Sequence, residues 1–262
     1  MLGRYGDVLN ILPWLHHLNA HGKRPVLMVA EQFADIAPHI KEYADVEVWH
    51  GDYKHCLAAE QHARKNYAEV QNASVYGDGL VYHRKAQDFC REAWLRAGGR
   101  MALDLFNISN GGVIRLSGFD EAYHKQLLTE HGLGNKQGKL VLYSLNGHSS
   151  PLPQEDQWRT AIHNRFARYG RVIDVGQLRL RSICDLTAFY RIADLLITSD
   201  SAPLHMAGAV PSLPYVALRN DGWGSEWYCG HTRGKCLRKV GYTQASQQRN
   251  SLLDYAEQFL SK

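Results

Sequence analysis

Residues 195–210, LLITSDSAPLHMAGAV, carry the densest run of chemistry in the chain. Leu195, Leu196 and Ile197 form a short apolar run that predicts a buried parallel strand. Thr198, Ser199, Asp200 and Ser201 follow as consecutive polar groups. Leu204, Met206, Ala207, Ala209 and Val210 then give a small-residue helix a partly apolar face. Strand, polar turn and helix start leave backbone N–H groups without intrahelical partners at a sheet's carboxyl edge, where the positive end of the helix dipole favours anions. Pro203 suits the first turn, where a missing N–H costs nothing. His205 follows Ser201 by four residues and so shares its helix face. The stretch reads as a phosphate cradle. The alternative is that Asp200 and Ser201 cap a structural helix.

A second candidate opens the chain. Gly3-Arg4-Tyr5-Gly6-Asp7 is a glycine-rich turn, and Val8, Leu9, Leu12, Leu15 and Leu18 then recur at helical spacing through about His21. Asp7 is placed to cap that helix at its N-terminus, and Pro13 is expected to kink it. In an α/β fold such a turn follows a strand. That strand has almost no residues here, so either the reading frame is trimmed or the strand is lost. Arg4 offers a charge-assisted hydrogen bond to phosphate, or is a solvated loop arginine.

These residues need a scaffold to position them. The chain has 262 residues, 45% hydrophobic and 21% charged, which fits a globular protein of one large or two modest domains. No run has the apolar length of a membrane span, and no signal peptide is expected, so the sequence reads as cytoplasmic. Five widely spread cysteines argue for free thiols in a reducing compartment. A net charge of +4 suits anionic substrates without demanding nucleic acid.

Strands are expected at 25–30 and 46–50, and helices at 32–43, 53–67, 83–97 and 119–131. Residues 132–138 have linker composition. Beyond them, strands are expected at 140–145, 172–175, 195–197 and 214–218, with helices at 154–169, 183–193 and 251–260. Residues 222–240 read as irregular. Strands alternating with helices on both sides of a glycine-rich segment predict an α/β fold of two doubly wound halves, 1–133 and 134–262. The default ligand site of such halves lies at the strands' carboxyl ends.

Both motifs resemble glycosyltransferase family 9, the heptosyltransferases. Gly3 to Leu9, followed by Leu12-Pro13 and Leu18, is similar to that family's opening loop and helix. Ile192 to Ala207 resembles its donor-binding segment, in which an Asp-Ser-Gly-Pro-x-His run opens a helix over the nucleotide-sugar phosphates. Residues 140–146 followed by Trp158 resemble the strand, loop and helix that begin the donor domain. The resemblance implies a GT-B-like architecture, two Rossmann-like domains facing across a cleft. It implies an inverting, metal-independent transfer of a heptose-like or other hexose sugar from a nucleotide-sugar donor to a glycan or lipopolysaccharide-type acceptor hydroxyl. No cofactor is implied beyond the nucleotide-sugar co-substrate. No transmembrane segment is expected, although a glycolipid acceptor would bring the protein to a membrane surface.

On this resemblance Asp7 is the catalytic base, and Arg4, Asn146, Asp200, Ser201, Ala202, Pro203 and His205 lie on the donor side. The chain departs from the family at several points. Ala202 replaces a glycine. The loop GHSSPLP at 147–153 lacks the basic residue carried before a Trp-Pro pair, with Ser150 and Pro151 near that position. A strand-helix unit with an acidic donor contact is missing between Val175 and Ile183.

Two other classes fit less of the sequence. A GT-B glycosyltransferase acting on modified DNA bases would use the basic and aromatic stretch 223–239, which holds Trp223, Trp227, Tyr228, Arg233, Lys235, Arg238 and Lys239. A nucleotide-sugar-binding protein without catalysis would explain the pared-down elements. Cys229, His231 and Cys236 do not have zinc-ligand spacing, and no metal is expected.

Overall fold

The computed structural model describes residues 4–70, 114–147, 150–221 and 235–261. The chain divides into two compact units, one of Met1–Gly118 with Glu226–Cys229 and one of Phe119–Ser225 with Gly230–Lys262.

In the first unit the predicted elements form, with one change of type. Helix α1 (Tyr5–Ala20) passes through position 13 without ending and buries Val8, Leu9, Ile11, Leu12 and Leu15. Strands β1 (Val26–Ala30) and β2 (Asp45–Trp49) pair in parallel, with Val26 opposite Asp45 and Ala30 opposite Trp49. Between them Glu31–His39 is a 3-10 helix rather than the expected α-helix. Pro38 lies near its end and has no N–H to give to a preceding carbonyl. Helix α2 (Cys56–Asn66) follows. The chain returns at residues 114–118, where the Ser117 N–H donates to His39 O at 3.1 Å and the Arg115 N–H to the Tyr43 hydroxyl at 2.7 Å. The expected helix at 83–97 lies outside the described residues.

The second unit is a five-stranded parallel sheet in the order β4-β3-β5-β6-β7. Its strands are β3 (Lys139–Ser144), β4 (Gly170–Asp174), β5 (Leu195–Ser199), β6 (Pro214–Arg219) and β7 (Lys235–Gly241). Apolar runs such as Leu195-Leu196-Ile197 arise because both faces are covered. Val141, Tyr143, Ile197, Val216 and Leu218 point to one face, where they cluster with Trp158, Ile162 and Phe166 of the helix Glu155–Phe166 and with Leu253, Ala256 and Leu260 of the helix Arg249–Leu260. Leu140, Leu142, Leu196, Tyr215 and Ala217 alternate with these and are also buried, as a period of two requires.

Strand β7 was not expected. Lys235, Arg238 and Lys239 break up its apolar pattern, but an edge strand tolerates charge and is protected by it from pairing with other chains. Arg238 lies over the Tyr255 ring at 4.6 Å and Lys235 over Phe259 at 4.8 Å, so the basic side chains still cover aromatic surface.

The helix Glu121–Glu130, expected with the first half, belongs to the second unit. His124 Nε2 lies 2.9 Å from Asp185 Oδ1, both side chains being buried. Residues 132–138 lie within the second unit. Gly132, at φ 67°, ends the helix in a Schellman turn, with the Leu133 N–H donating to Leu128 O and the Gly132 N–H to Thr129 O. Lys136 Nζ is bound by Asp194 and by Ile192 O, which fixes the segment to the sheet.

Candidate functional site

The sheet order defines a switch point. From β3 the chain crosses to β4 on one side, and β5 then takes up the other side. The crevice outside the carboxyl ends of two such strands is where open α/β sheets bind ligands. Here β3 and β5 end side by side, with Ser144 opposite Thr198. The residues that follow are Asn146 and Gly147 on one strand and Asp200 and Ser201 on the other. The sequence-derived donor residues Asn146, Asp200, Ser201, Ala202, Pro203 and His205 thus all lie in the second unit, after these two adjacent strand ends.

Asn146 is exposed, Asp200 is buried, and Ser201, Ala202 and Pro203 are partly exposed. Gly147 is buried at a point of close approach. A Cβ there would come within 2.7 Å of Ser150 O and 2.9 Å of Asp200 O, so only glycine lets the two loops meet.

The helix start differs from its sequence reading. Ser201 occupies the N-cap position of the helix Ala202–Met206, but its side chain makes no capping bond and its Oγ donates back to Ser199 O at 3.1 Å. Capping is not what this hydroxyl does. The Leu204 N–H donates to Ser201 O at 2.9 Å, and Pro203 has no N–H. The cradle therefore offers fewer backbone donors than expected. A helix of five residues followed by the 3-10 turn Ala207–Ala209 also supplies little dipole. The first turn is pinned by the Tyr190 hydroxyl, which donates to Pro203 O at 3.0 Å. Burial raises the phenol pKa of Tyr190, so it remains a donor. His205 follows Ser201 on this helix but is buried, only 4% exposed.

One residue of this edge was not expected from the sequence. Tyr242 follows the end of β7, and its buried hydroxyl sits between the two loops. It accepts the Asp200 N–H at 3.2 Å and donates to Ser150 O at 2.9 Å, while Ser150 Oγ donates to it at 3.4 Å. Burial pushes its pKa up to about 12, so the proton needed for donation is kept. The signal available was Tyr242 standing directly after a strand-ending glycine, which becomes readable only once β7 is recognised.

Asp7 and Arg4 lie in the first unit. Asp7 is not the N-cap. The helix begins at Tyr5, so Asp7 is its third residue, and its Oδ2 accepts the Arg4 N–H at 2.8 Å. That is the backward-reaching half of a capping box. Asp7 as a whole is 6% exposed. Arg4 donates from Nε and Nη2 to the Tyr53 hydroxyl at 3.3 and 3.0 Å. Phe33 stands edge-on to both Tyr5 and Tyr53, and the Tyr5 hydroxyl donates to Asp35 at 2.5 Å. Arg4 and Tyr5 are thus held by an aromatic and hydrogen-bonded cluster of their own unit.

Cys229 and His231 lie outside the described residues, as does most of the basic stretch, including Trp223, Trp227, Tyr228 and Arg233. Cys236 is in β7 and its thiol donates to Arg238 O. Among the described residues no three His, Cys, Asp or Glu side chains gather as a metal site would require, and no helix is long and apolar enough to cross a membrane.

Parallel sheets flanked by helices make this an α/β protein of the GT-B-like, heptosyltransferase-like fold class. No family model and no curated protein matches the chain by sequence. Among solved structures, the chain matches E. coli ADP-heptose LPS heptosyltransferase II with a TM-score of 0.54 and 11% identity, over 97% of this chain and 94% of that one. It also matches E. coli heptosyltransferase WaaC with ADP-2-deoxy-2-fluoro heptose, with a TM-score of 0.49 and 15% identity, over 96% of each chain. The first of these shows that the heptosyltransferase fold extends over nearly the whole chain.

Proposed function

We propose that the protein is a glycosyltransferase that moves a sugar from a nucleotide-sugar donor to a glycan or glycolipid hydroxyl. The observation that carries this reading is the meeting of the Gly147–Ser150 and Asp200–Ser201 loops at the switch point of the second unit. The donor's diphosphate binds there. Ser201 Oγ turns from Ser199 O to a phosphate oxygen, and Asn146 and the backbone at Ala202 complete the contact. The transfer is inverting and needs no metal. Asp7, at the start of the first helix, takes the acceptor proton as the general base. The acceptor is a lipopolysaccharide-type glycan, and the chain works in the cytoplasm. ADP-heptose, for which the matched E. coli heptosyltransferase II is named, is the first donor to try.

A screen of nucleoside diphosphates and nucleotide sugars by thermal shift tests the binding half. A donor at 100 times its dissociation constant adds ~2.7 kcal/mol of stability. No shift with any of them rejects the reading. Release of nucleoside diphosphate that depends on an acceptor glycan tests the transfer half.

One observation favours a second reading, a nucleotide-sugar-binding protein without turnover. The Asp7 carboxylate already serves the Arg4 N–H, so a purely structural role would account for it. Transfer by the wild type, lost on Asp7→Asn, rules that reading out.

A further inference from the structure

We propose that Tyr242 is the positioning residue of the ligand site, a clasp whose hydroxyl holds the loop after β3 and the loop after β5 at the spacing that binds an anion. The inference rests on the donor site being at the switch point and adds a determinant from the helix after β7, a strand that does not itself border it.

The Tyr242 oxygen has one proton and two lone pairs. The proton goes to Ser150 O at 2.9 Å, one lone pair takes the Asp200 N–H at 3.2 Å, and Ser150 Oγ approaches the other at 3.4 Å. Every bonding position is used, and each of these partners belongs to one of the two loops. Gly147 brings the same loops into backbone contact, so their separation is set by a glycine below and a phenol beside it. The phenol is itself held in place. Tyr242 is buried at the start of the helix Tyr242–Gln247, whose Thr243 N–H donates to Asp221 Oδ2 at 2.6 Å, at the end of β6. The clasp thus ties the ends of β3 and β5 to those of β6 and β7, across the width of the carboxyl edge.

Removing the hydroxyl takes its bonds away from the Asp200 N–H and the Ser150 carbonyl while the ring still fills its place in the core. Both loops then lose a fixed position, and the ligand must order them again on binding.

The test compares Tyr242→Phe with Tyr143→Phe. Tyr143 lies in the same sheet, and its hydroxyl bonds His163 Nε2 at 3.1 Å on a neighbouring helix, away from the two loops. Amide exchange is followed by NMR, and ADP and ADP-heptose affinities are measured by calorimetry well below the melting temperature. In Tyr242→Phe the Asp200 and Ser150 amides should exchange at least tenfold faster, and ligand affinity should fall about tenfold. Tyr143→Phe should leave both readouts at wild-type values even where its melting temperature falls. Unchanged exchange at Asp200 in Tyr242→Phe overturns the clasp. So do loosened loops with unchanged affinity, or an equal loss of affinity in both variants. A wild type that binds no nucleotide or nucleotide sugar instead overturns the functional reading, and exchange at Asp200 and Ser150 then decides the clasp alone.

Discussion

The two units hold themselves together differently. The second has five parallel strands with apolar residues on both faces and a continuous core that runs from Val141 to Leu260. The first, among the described residues, has two parallel strands, and no residue of β2 is fully buried. Beside the apolar residues that α1 and β1 bury, point contacts fix its parts. The Asn19 side chain donates to Glu42 O and Tyr43 O, Arg24 pairs with Asp45 at 3.0 Å, and Tyr5 and Arg4 meet Asp35 and Tyr53. Exposed ion pairs contribute little each, whereas burying one large apolar side chain contributes ~1.5–3 kcal/mol. Local opening should therefore be cheaper at β2 than at the fully buried β5. The proposed chemistry divides between the same two units, with the base on the first and the ligand cradle on the second.

The largest expected effect tests that separation. Asp7→Asn retains an acceptor for the Arg4 N–H but removes the base. Turnover should fall by ~10²–10⁴, with nucleotide affinity unchanged, as steady-state kinetics and calorimetry would show. Intact turnover with a lowered melting temperature would make Asp7 a capping residue only. Next is Phe166→Ala, which empties a site fully buried in the second core. It should cost that unit ~3–5 kcal/mol, while exchange protection in β1 and β2 stays at wild type. Protection lost equally in both units would mean that they unfold as one and would remove the contrast.

Ser201→Ala should act on binding alone. It should weaken nucleoside diphosphate affinity by ~0.5–1.5 kcal/mol, the net worth of one hydrogen bond, and leave kcat unchanged. A loss confined to kcat would place Ser201 at the reacting centre instead. The smallest effect is a pH dependence. Burial alone would raise the Asp194 carboxyl pKa, but Lys136, the Leu140 N–H and Lys139 together hold it below the ordinary value of 3.8. A carboxylate with a lowered folded pKa stabilises fully above its unfolded value and loses that contribution as pH falls through the folded one. Acid unfolding of Asp194→Asn should thus show a shallower stability loss below about pH 4 than the wild type. Identical slopes would mean that the lysines do not hold the carboxylate.

What could be read in the sequence follows the same contrast. The central strands of the second unit were legible because coverage on both faces demands unbroken apolar runs, as in Leu195–Ser199. The edge strand β7 was not, because exposure lets Lys235, Arg238 and Lys239 into it. The glycine-rich 132–138 looked like a linker, but composition does not distinguish a connection between domains from a Schellman turn inside one. Which unit the helix Glu121–Glu130 joins was settled by a distant partner, Asp185. At the site, the spacing of Ser201 and His205 was readable, but where each side chain points was not. Asp7 was misplaced within its helix because the flanking glycines mask where the helix begins. Tyr242 was missed with β7, whose strand-ending glycine it follows, and its partners lie on two loops distant in sequence.

The pairing of His124 with Asp185 has a consequence for how the molecule is made. The two residues lie 61 positions apart in the chain. A ribosome adding about 5–20 residues per second needs roughly 3–12 s to cover that span. Throughout that interval the helix carrying His124 has left the first unit behind, while the aspartate that will pair with its imidazole has yet to be synthesised. The central strands β5 and β6 are equally unmade. A nascent chain paused between these points leaves His124 and Leu127, both buried in the folded unit, without the surfaces that cover them.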